Sequence, residues 1–323
     1  MSSSKPRLLD PALIPAHLWD RAAGSLRLPS ALSGVYVALI DRYKLRSLAA
    51  TRDPKNPAVG GLTQEKTDQH FAQNFDGSAA RAQLALLDPD GAVLPTSDVF
   101  LASLLGGSLS LVDAPCGAGA AALSFLATIG DLRAASVLPR LPLDVHLIGA
   151  EISDPARVYA EVMLDELRTP LEEQAIFVEA EFLDWDVTDA LSTARLTNRM
   201  AVAANTRGRR LLVVANFNGF LEQQGKRKEA EPQLQQLFMH ASAAGSAAVW
   251  IEPKMNEATS DGGFFSWLRR MLTRAWRLFA RELSNPLAAI PATHARFHLP
   301  LDPHSTPARV TLAVMPIDLE AAP

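Results

Sequence analysis

A glycine-rich segment follows an apolar run near the middle of the chain, at LVDAPCGAGAAALSFL (111–126). The apolar run ends at Asp113, a turn contains Gly117 and Gly119, and an Ala/Leu-rich helical pattern begins directly after them. Glycine has no Cβ, so the backbone of such a turn can approach a ligand closely, and the first N–H groups of a helix are free to bind it. The spacing therefore predicts a ligand-binding turn between a strand and a helix.

The elements that must position this turn are apolar runs that alternate with helical patterns. Five runs rich in Val, Ile and Leu occupy 108–114, 143–150, 175–180, 210–217 and 247–253. Helical patterns separate them at about 119–129, 155–168, 187–204 and 231–244. Such alternation predicts parallel strands with right-handed crossovers, and open sheets of this kind bind ligands beyond the carboxyl ends of their strands. Two last runs, 295–301 and 308–317, predict an antiparallel hairpin. We expect an α/β fold with a doubly wound, mostly parallel seven-stranded sheet.

The first third of the chain has a different pattern. Helical patterns cover 29–50, 63–75, 78–87 and about 97–105. The dipeptide Asp76-Gly77 separates the second pattern from the third, and no alternating strand pattern precedes Leu109. We therefore expect residues 1–96 to form a helical N-terminal cap that contributes to the substrate region, and residues 97–323 to form the catalytic α/β domain.

The glycine-rich segment resembles motif I of the class I S-adenosylmethionine (SAM) dependent methyltransferases, which typically reads Asp/Glu-x-x-x-Gly-x-Gly after the first strand. Asp113, Gly117 and Gly119 stand at those positions, and Ala121 stands where the family frequently has a third glycine. The resemblance covers roughly residues 97–318 and includes the seven-strand sheet with its terminal hairpin. It implies a SAM-dependent methyltransferase.

The resemblance also implies further cofactor contacts. In the family an acidic residue at the end of the second strand accepts both ribose hydroxyls, and LIGAEIS places Glu151 there. An acidic residue after the third strand lies near the adenine amino group, and EAEFLDWDV offers Asp184 with Trp185 beside it. The alternative is that this segment only caps the next helix, with Asp186 at the N-cap and Asp189 at N3. The full predicted cofactor-binding set is Asp113, Ala114, Cys116, Gly117, Gly119, Glu151, Ile152, Asp184, Trp185 and Asn216.

A nicotinamide-dinucleotide enzyme is the rival interpretation, because GAGAAA also satisfies Gly-x-Gly-x-x-Ala. That fingerprint requires an acidic residue about 20 positions further on, to bind the ribose. Residues 137–140 read VLPR and contain no carboxylate. An ordinary dinucleotide domain also does not end in an antiparallel hairpin. These two points favour SAM.

The methyl acceptor is harder to predict, because the protein mainly positions and desolvates the two reactants. Enzymes that methylate exocyclic base or amide nitrogens often carry Asn/Asp-Pro-Pro-aromatic after strand four, and NFNGF (216–220) has neither proline. The catalytic candidates are Asn216, Asn218, Glu252 and His70. The alternative for the three strand-end candidates is that they cap backbone groups. His70 begins the segment 70–84, whose aromatic and polar residues would suit a lid over the cofactor.

A basic stripe is predicted on a helix near the carboxyl end of the chain, in 262–285. The stripe consists of Arg270, Arg274, Arg277 and Arg281. Apolar residues occupy much of the opposite side. The stripe predicts a surface for an anionic acceptor or partner, and the alternative is an ordinary solvated helix face.

Composition excludes several classes of protein. One cysteine and seven histidines without metal-ligand spacing predict no metal site, and the net charge of −4 argues against a wholly basic surface. No apolar run approaches the roughly 20 residues of a membrane span, and the N-terminal residues lack a signal-peptide pattern. We expect a cytoplasmic enzyme. Its acceptor is RNA or, nearly as well supported, a small molecule; the alternative is a SAM-binding or inactive assembly or scaffold protein with a methyltransferase-like fold.

Overall fold

A computed structural model describes residues 7–53, 58, 60–206, 209–241, 246–254, 263–276 and 291–318. The described residues form nine strands in one mixed sheet and ten α-helices. The strands are β1 (Trp19–Asp20), β2 (Ser25–Leu26), β3 (Gly107–Asp113), β4 (Leu143–Ala150), β5 (Ile176–Leu183), β6 (Arg209–Ala215), β7 (Ala247–Glu252), β8 (Ala292–Phe297) and β9 (Ala308–Asp318). The helices are α1 (Ser30–Arg42), α2 (Arg46–Ala50), α3 (Gln64–Leu87), α4 (Leu94–Leu104), α5 (Ala120–Ala134), α6 (Asp154–Glu172), α7 (Ala190–Thr206), α8 (Asn218–Gln223), α9 (Arg227–Ala241) and α10 (Phe264–Trp276).

The sheet has the order β1-β2-β8-β9-β7-β6-β3-β4-β5. Strands β5, β4, β3, β6 and β7 are parallel neighbours, while β9 is antiparallel to both β7 and β8. The predicted parallel core and terminal hairpin are therefore present. The predicted count of seven strands is wrong, because β1 and β2 extend the sheet beyond β8. Each has two residues, too few for the alternation by which a sequence reveals a strand.

The central strands bury both faces, which is why they read as continuous apolar runs. Leu111 and Leu211 face one core, which α1, α3, α4, α5 and α6 cover. Their neighbours Val112 and Leu212 face a second core, which α7, α9 and α10 cover. Helices on both faces make the sheet doubly wound.

The N-terminal helices differ from the sequence prediction in two places. The pattern over 29–50 is interrupted at Lys44, which has φ +59°, so α1 and α2 are separate helices. The two helices predicted on either side of Asp76-Gly77 are one helix, α3, of 24 residues. Asp76 is buried, where it forms an ion pair with Arg52 and accepts the backbone N–H of Gly77. Tertiary contacts thus override the weak helix propensity of this dipeptide.

Helix α3, which contains the segment 70–84 that we expect to suit a lid over the cofactor, is largely buried. Phe71, Phe75 and Leu84 of α3 lie in the same core as Leu126 of α5 and Phe297 of β8. This core extends across residue 96, and the division of the chain there stays a prediction. None of the described helices is both long and apolar enough to cross a membrane.

Candidate functional site

The predicted ligand-binding turn lies at the point where the strand order reverses. β3 is the first strand of the parallel set, with β4 on one side and β6 on the other, so the turn after β3 opens at a topological switch point. Gly117 and Gly119 have φ of +53° and +80°, in the left-handed region that favours glycine. Space for a Cβ is open at Gly117, whereas one at Gly119 would lie 3.0 Å from Leu123. The first glycine therefore lets a ligand approach, and the second lets α5 begin.

Glu151 is the residue that joins the two central loops. It follows β4, and its Oε2 accepts the backbone N–H of Gly117 at 3.1 Å while Oε1 accepts that of Ser153 at 2.9 Å. Burial raises the pKa of this carboxyl, while these N–H groups and Arg157 act in the opposite direction. A carboxylate offers about four acceptor sites, so two N–H bonds leave capacity for hydroxyl donors. The structure thus brings Glu151 to the glycine turn, as the sequence predicted.

Asp113 is a buried acid with one unsatisfied oxygen. Its Oδ2 accepts the N–H of Ala122 at 3.2 Å, and its buried Oδ1 has no partner. Burial raises the pKa of Asp113 to about 7, and the nearby charge of Glu151 adds to the shift. The two acids border the same turn, so their oxygens can accept hydrogen bonds from a ligand there.

Cys116 fills space at this turn. Its N–H bonds to the carbonyl of Ala150 at 2.9 Å, which ties the turn to the end of β4. A Cβ on Gly149 would lie 2.4 Å from Phe182 and 3.1 Å from Cys116 Sγ, so the packing is tight. Burial raises the pKa of the thiol, which keeps it protonated and unreactive. Of the other predicted residues here, Ala114 is buried and Ile152 is half-buried.

Asp184 and Trp185 lie after β5 but in different environments. Asp184 is 62% exposed, lies 3.5 Å from the guanidinium of Arg157, and borders a groove of about 470 Å³. Trp185 is buried in the second core, where its indole N–H donates to Thr193 Oγ1 at 3.2 Å. Only Asp184 therefore offers a side chain to a ligand in solution.

The predicted capping roles of Asp186 and Asp189 are corrected by the start of α7 at Ala190. Asp189 immediately precedes the helix and accepts the N–H groups of Leu191 and Ser192, so it takes the N-cap role. Asp186 instead closes a turn by accepting from Thr188.

The loop after β6 contains a strained asparagine that α3 holds in place. Asn216 has φ +56°, a conformation that is uncommon for a residue with a Cβ. Its Oδ1 accepts from Arg81 Nη1 at 2.8 Å, across 135 positions of sequence. Burial lowers the pKa of Arg81, whereas Glu252 and Asp76 raise it. The sequence analysis included Arg81 only within the predicted lid and did not predict its contact with Asn216. A lone arginine within the alanine-rich run of α3 could have indicated a buried polar contact.

Glu252 and Asn218 are engaged with groups of the protein itself. Glu252 Oε1 accepts the N–H groups of Phe217 and Asn218 at 2.8 Å each, and the indole N–H of Trp250 at 2.7 Å. Asn218 Oδ1 accepts from Arg227 Nη2 at 2.6 Å. The backbone-capping alternative thus describes Glu252. Burial raises its pKa, and Arg81 and the three donors oppose this shift.

His70 lies on α3 and is uncharged at neutral pH. Burial lowers its pKa to about 4, and the positive charge of Arg81 adds to the shift. A group with this pKa is a weak general base near pH 7. Among the catalytic candidates, His70 is therefore suited to hydrogen bonding rather than to proton abstraction.

Helix α3 borders both halves of the carboxyl edge. Thr67 Oγ1 lies 3.1 Å from Ser153 Oγ after β4, and Arg81 reaches the loop after β6. These two positions are 14 residues apart, or about 21 Å along a helix. The N-terminal region thus borders the loops from β4 to β6, which places its side chains beside the candidate site.

The predicted basic stripe falls mostly outside the described residues. Arg270 is exposed on α10, and Phe264, Leu268 and Met271 of the same helix are buried. The side chain of Arg274, and Arg277 and Arg281 entirely, lie outside the described residues, so the stripe stays a prediction. Over the described ranges, no group of three or more His, Cys, Asp or Glu side chains is arranged to hold a metal ion.

Comparisons with known proteins add no family. No protein-family model matches the chain, and no curated protein matches it.

Proposed function

We propose that the chain is a SAM-dependent methyltransferase whose cofactor lies over the glycine turn at the carboxyl edge of the sheet. The observation that carries this proposal is Glu151, which follows β4 and accepts the N–H of Gly117 at 3.1 Å, across the switch point. An acid at the end of the second parallel strand fits a ribose there. The antiparallel position of β9, between β7 and β8, also fits the resemblance to class I methyltransferases better than a dinucleotide domain.

The hydrogen-bond acceptors at this edge of the sheet suit SAM. When bound, its sulfonium would supply an activated methyl group to a nucleophile. Glu151 would accept the ribose hydroxyls, and the exposed carboxylate of Asp184 would accept from the adenine amino group. Asp113 lies beneath the turn and has one buried oxygen without a partner, which could accept a hydrogen bond. The whole predicted set from Asp113 to Gly119, with Ile152, would surround the cofactor; Asn216 would border it from the β6 side.

The residues of the acceptor side would position a nucleophile rather than deprotonate it. Asn216 and Asn218 each have one amide oxygen engaged by an arginine, and Glu252 holds the start of α8. His70 has a pKa of about 4. An acceptor that needs no strong base, such as a ring nitrogen with a free lone pair, matches this environment.

Because these side chains are already bound to other groups of the protein, they also fit a second function, in which the protein does not catalyse a reaction. If no side chain here serves catalysis, the protein would bind SAM as an assembly or scaffold factor with a methyltransferase-like fold. We favour the enzyme, with RNA as acceptor ahead of a small molecule, and a cytoplasmic location. Methyl transfer from radiolabelled SAM to RNA or to small molecules separates the enzyme from the scaffold.

The test of cofactor binding is calorimetry with S-adenosylhomocysteine. Hydrogen bonds to a charged group contribute about 1.5–3 kcal/mol each, so Glu151→Ala should weaken binding roughly tenfold to a few hundredfold. Glu151→Gln keeps one acceptor oxygen and should fall between this variant and the wild type. Glu161→Ala, on the exposed face of α6, is the matched control. Equal affinity in all four proteins would refute the assignment of Glu151.

A further inference from the structure

A groove of about 770 Å³ lies at the far end of the sheet, between the β1–β2 hairpin and the β8–β9 hairpin. Its charged lining is mostly basic: Arg21, Arg296 and Arg309, with His294, against one carboxylate, Asp90. All five side chains are exposed. The groove thus has a local positive charge on a chain whose net charge is −4. Positive charges gathered in a concave surface focus the electrostatic field there, and this attracts anions.

Two of these arginines lie directly opposite each other on neighbouring strands. Arg296 of β8 and Arg309 of β9 are register partners. Like charges directly opposite each other on paired strands destabilise a sheet. No ion pair to either guanidinium is formed by any residue within the described ranges. An anion in the groove would relieve this repulsion.

The groove lies on the same side of the molecule as the candidate cofactor site. Ala313 of β9 pairs with Glu252, the last residue of β7, and also with Ala292, the first residue of β8. Arg309 and its partner Arg296 are four residues further along, so they extend about 13 Å beyond the carboxyl end of β7. Three strand spacings separate β9 from β3, which adds about 14 Å sideways. In register, Asp113 at the end of β3 is level with Val213 and Val249, so β3 ends three residues before β7. The groove is therefore on the order of 27 Å from the carboxyl end of β3, where the glycine turn begins.

We propose that this groove binds the phosphate groups of a single-stranded nucleic acid, whose methylated position lies about eight stacked nucleotides away, at about 3.4 Å each, over the cofactor turn. The inference rests on the proposed function and names its substrate class. A small anion could occupy the groove but could not also reach the turn. Arginine favours phosphate because its planar guanidinium can donate two parallel hydrogen bonds to two oxygens. Arg21 is already held in place by donation to the carbonyl of Pro11.

The binding experiment titrates the full chain with a fluorescent 20-nucleotide single-stranded RNA at several salt concentrations. Each phosphate neutralised on a single strand adds about 0.7 to the log–log salt slope, so three arginines should give a slope near −2. The double variant Arg296→Glu/Arg309→Glu should lose at least tenfold in affinity and about 1.4 in slope. The control Arg140→Glu/Arg209→Glu makes the same change in net charge at exposed positions outside both grooves and should bind like the wild type.

A stability measurement protects the test against a folding artefact. Arg296→Glu alone turns the like-charged pair into an opposite-charged pair, so it should raise the melting temperature, by about 1–2 °C, while it weakens RNA binding. A variant that is more stable and binds less cannot have lost binding through misfolding. A fall in melting temperature would contradict the repulsion on which the proposal depends.

The probes separate the sources of phosphate. Single-stranded DNA of the same sequence should bind comparably, whereas inorganic phosphate and an uncharged-backbone oligonucleotide should bind at least a hundredfold more weakly. Wild-type RNA affinity that is absent, insensitive to salt, or equal in both double variants would overturn the proposal, as would a preference for anionic lipid vesicles over RNA. Binding of S-adenosylhomocysteine by the wild-type protein separates the two possible failures. If the wild-type protein binds S-adenosylhomocysteine but not RNA, only this inference fails; if it binds RNA but not S-adenosylhomocysteine, the proposed cofactor fails. The double variant should bind S-adenosylhomocysteine like the wild type.

Discussion

The two halves of the carboxyl edge differ in how their polar groups are satisfied. On the β3–β4 side, Asp113 has a buried oxygen without a partner, and Glu151 has acceptor capacity beyond its two N–H bonds. On the β6–β7 side, Asn216 and Glu252 are bound to the protein's own donors. A buried acceptor oxygen without a partner in the protein suits a ligand, whereas the oxygens of Asn216 and Glu252 already have donors, although the buried Nε atoms of Arg81 and Arg227 beside them lack acceptors. The contrast supports the proposal that a ligand binds to the first half, and it shows that contacts within the protein hold the loop of the second half.

The largest effect on the free energy of unfolding is expected from Glu252→Ala, on the β6–β7 side. The substitution leaves the N–H groups of Phe217 and Asn218 and the indole of Trp250 without their acceptor. Each orphaned donor costs about 1–3 kcal/mol, so urea unfolding should show a loss of about 5 kcal/mol. Glu229→Ala, at an exposed ion pair with Lys226, should change the free energy of unfolding far less, because solvent screens this pair. A loss as small for Glu252 as for Glu229 would erase the contrast between the halves.

A pH dependence of stability is expected from the unsatisfied half. The folded pKa of Asp113 is about 7, above the usual value of 3.8, so the folded state holds a proton that the unfolded state releases. Stability should therefore fall as pH rises from about 4 to 7, by about 4 kcal/mol from this group. Asp113→Asn should remove most of that decrease, while Asp144→Asn, at an exposed position of β4, should leave it. Parallel pH profiles for wild type and Asp113→Asn would show that burial does not perturb this acid.

A smaller effect is expected where α3 supports the β6 loop. Arg81→Ala removes the hydrogen bond to Asn216 and the positive charge beside His70. It should cost about 2 kcal/mol and raise the His70 pKa modestly above about 4, because burial, the larger cause of the low pKa, remains. Nuclear magnetic resonance titration of the histidine ring measures the second change. Arg81→Lys keeps the charge and should leave the His70 pKa low. A His70 pKa that does not respond to the loss of Arg81 would show that the charge of Arg81 does not act on this histidine.

The smallest effect is expected at Asp184, which is mostly exposed. Asp184→Asn should weaken binding of S-adenosylhomocysteine about three- to tenfold and leave the melting temperature of the free protein nearly unchanged. The reverse ordering, a lower melting temperature with unchanged affinity, would leave Asp184 only its contact with Arg157.

Local patterns in the sequence predicted the features that depend on local structure. The glycine turn, the five parallel strands and the hairpin each have a pattern within ten to twenty residues, and all three are present. Strands β1 and β2 have two residues each, so no pattern could reveal them. Helix α3 continues through Asp76-Gly77 because of a contact with Arg52, which lies 24 positions earlier.

The candidate site divides in the same way. Asp113, Gly117 and Glu151 follow strand ends at short spacing, so a motif predicts them. The partners that engage the other half are Arg81, 135 positions from Asn216, and Glu252, 35 positions from Phe217. Only tertiary structure brings them together, and it shows that Asn216 and Glu252 already accept hydrogen bonds from other groups of the protein.

The most direct test of the central claim is calorimetry of the unmodified protein with S-adenosylhomocysteine and, separately, with NAD. Glu151 directly after the second parallel strand, and a sheet that ends in an antiparallel hairpin, predict binding of S-adenosylhomocysteine at one molecule per chain and no binding of NAD. Tight binding of NAD without binding of S-adenosylhomocysteine would contradict the account and assign the glycine turn to a dinucleotide.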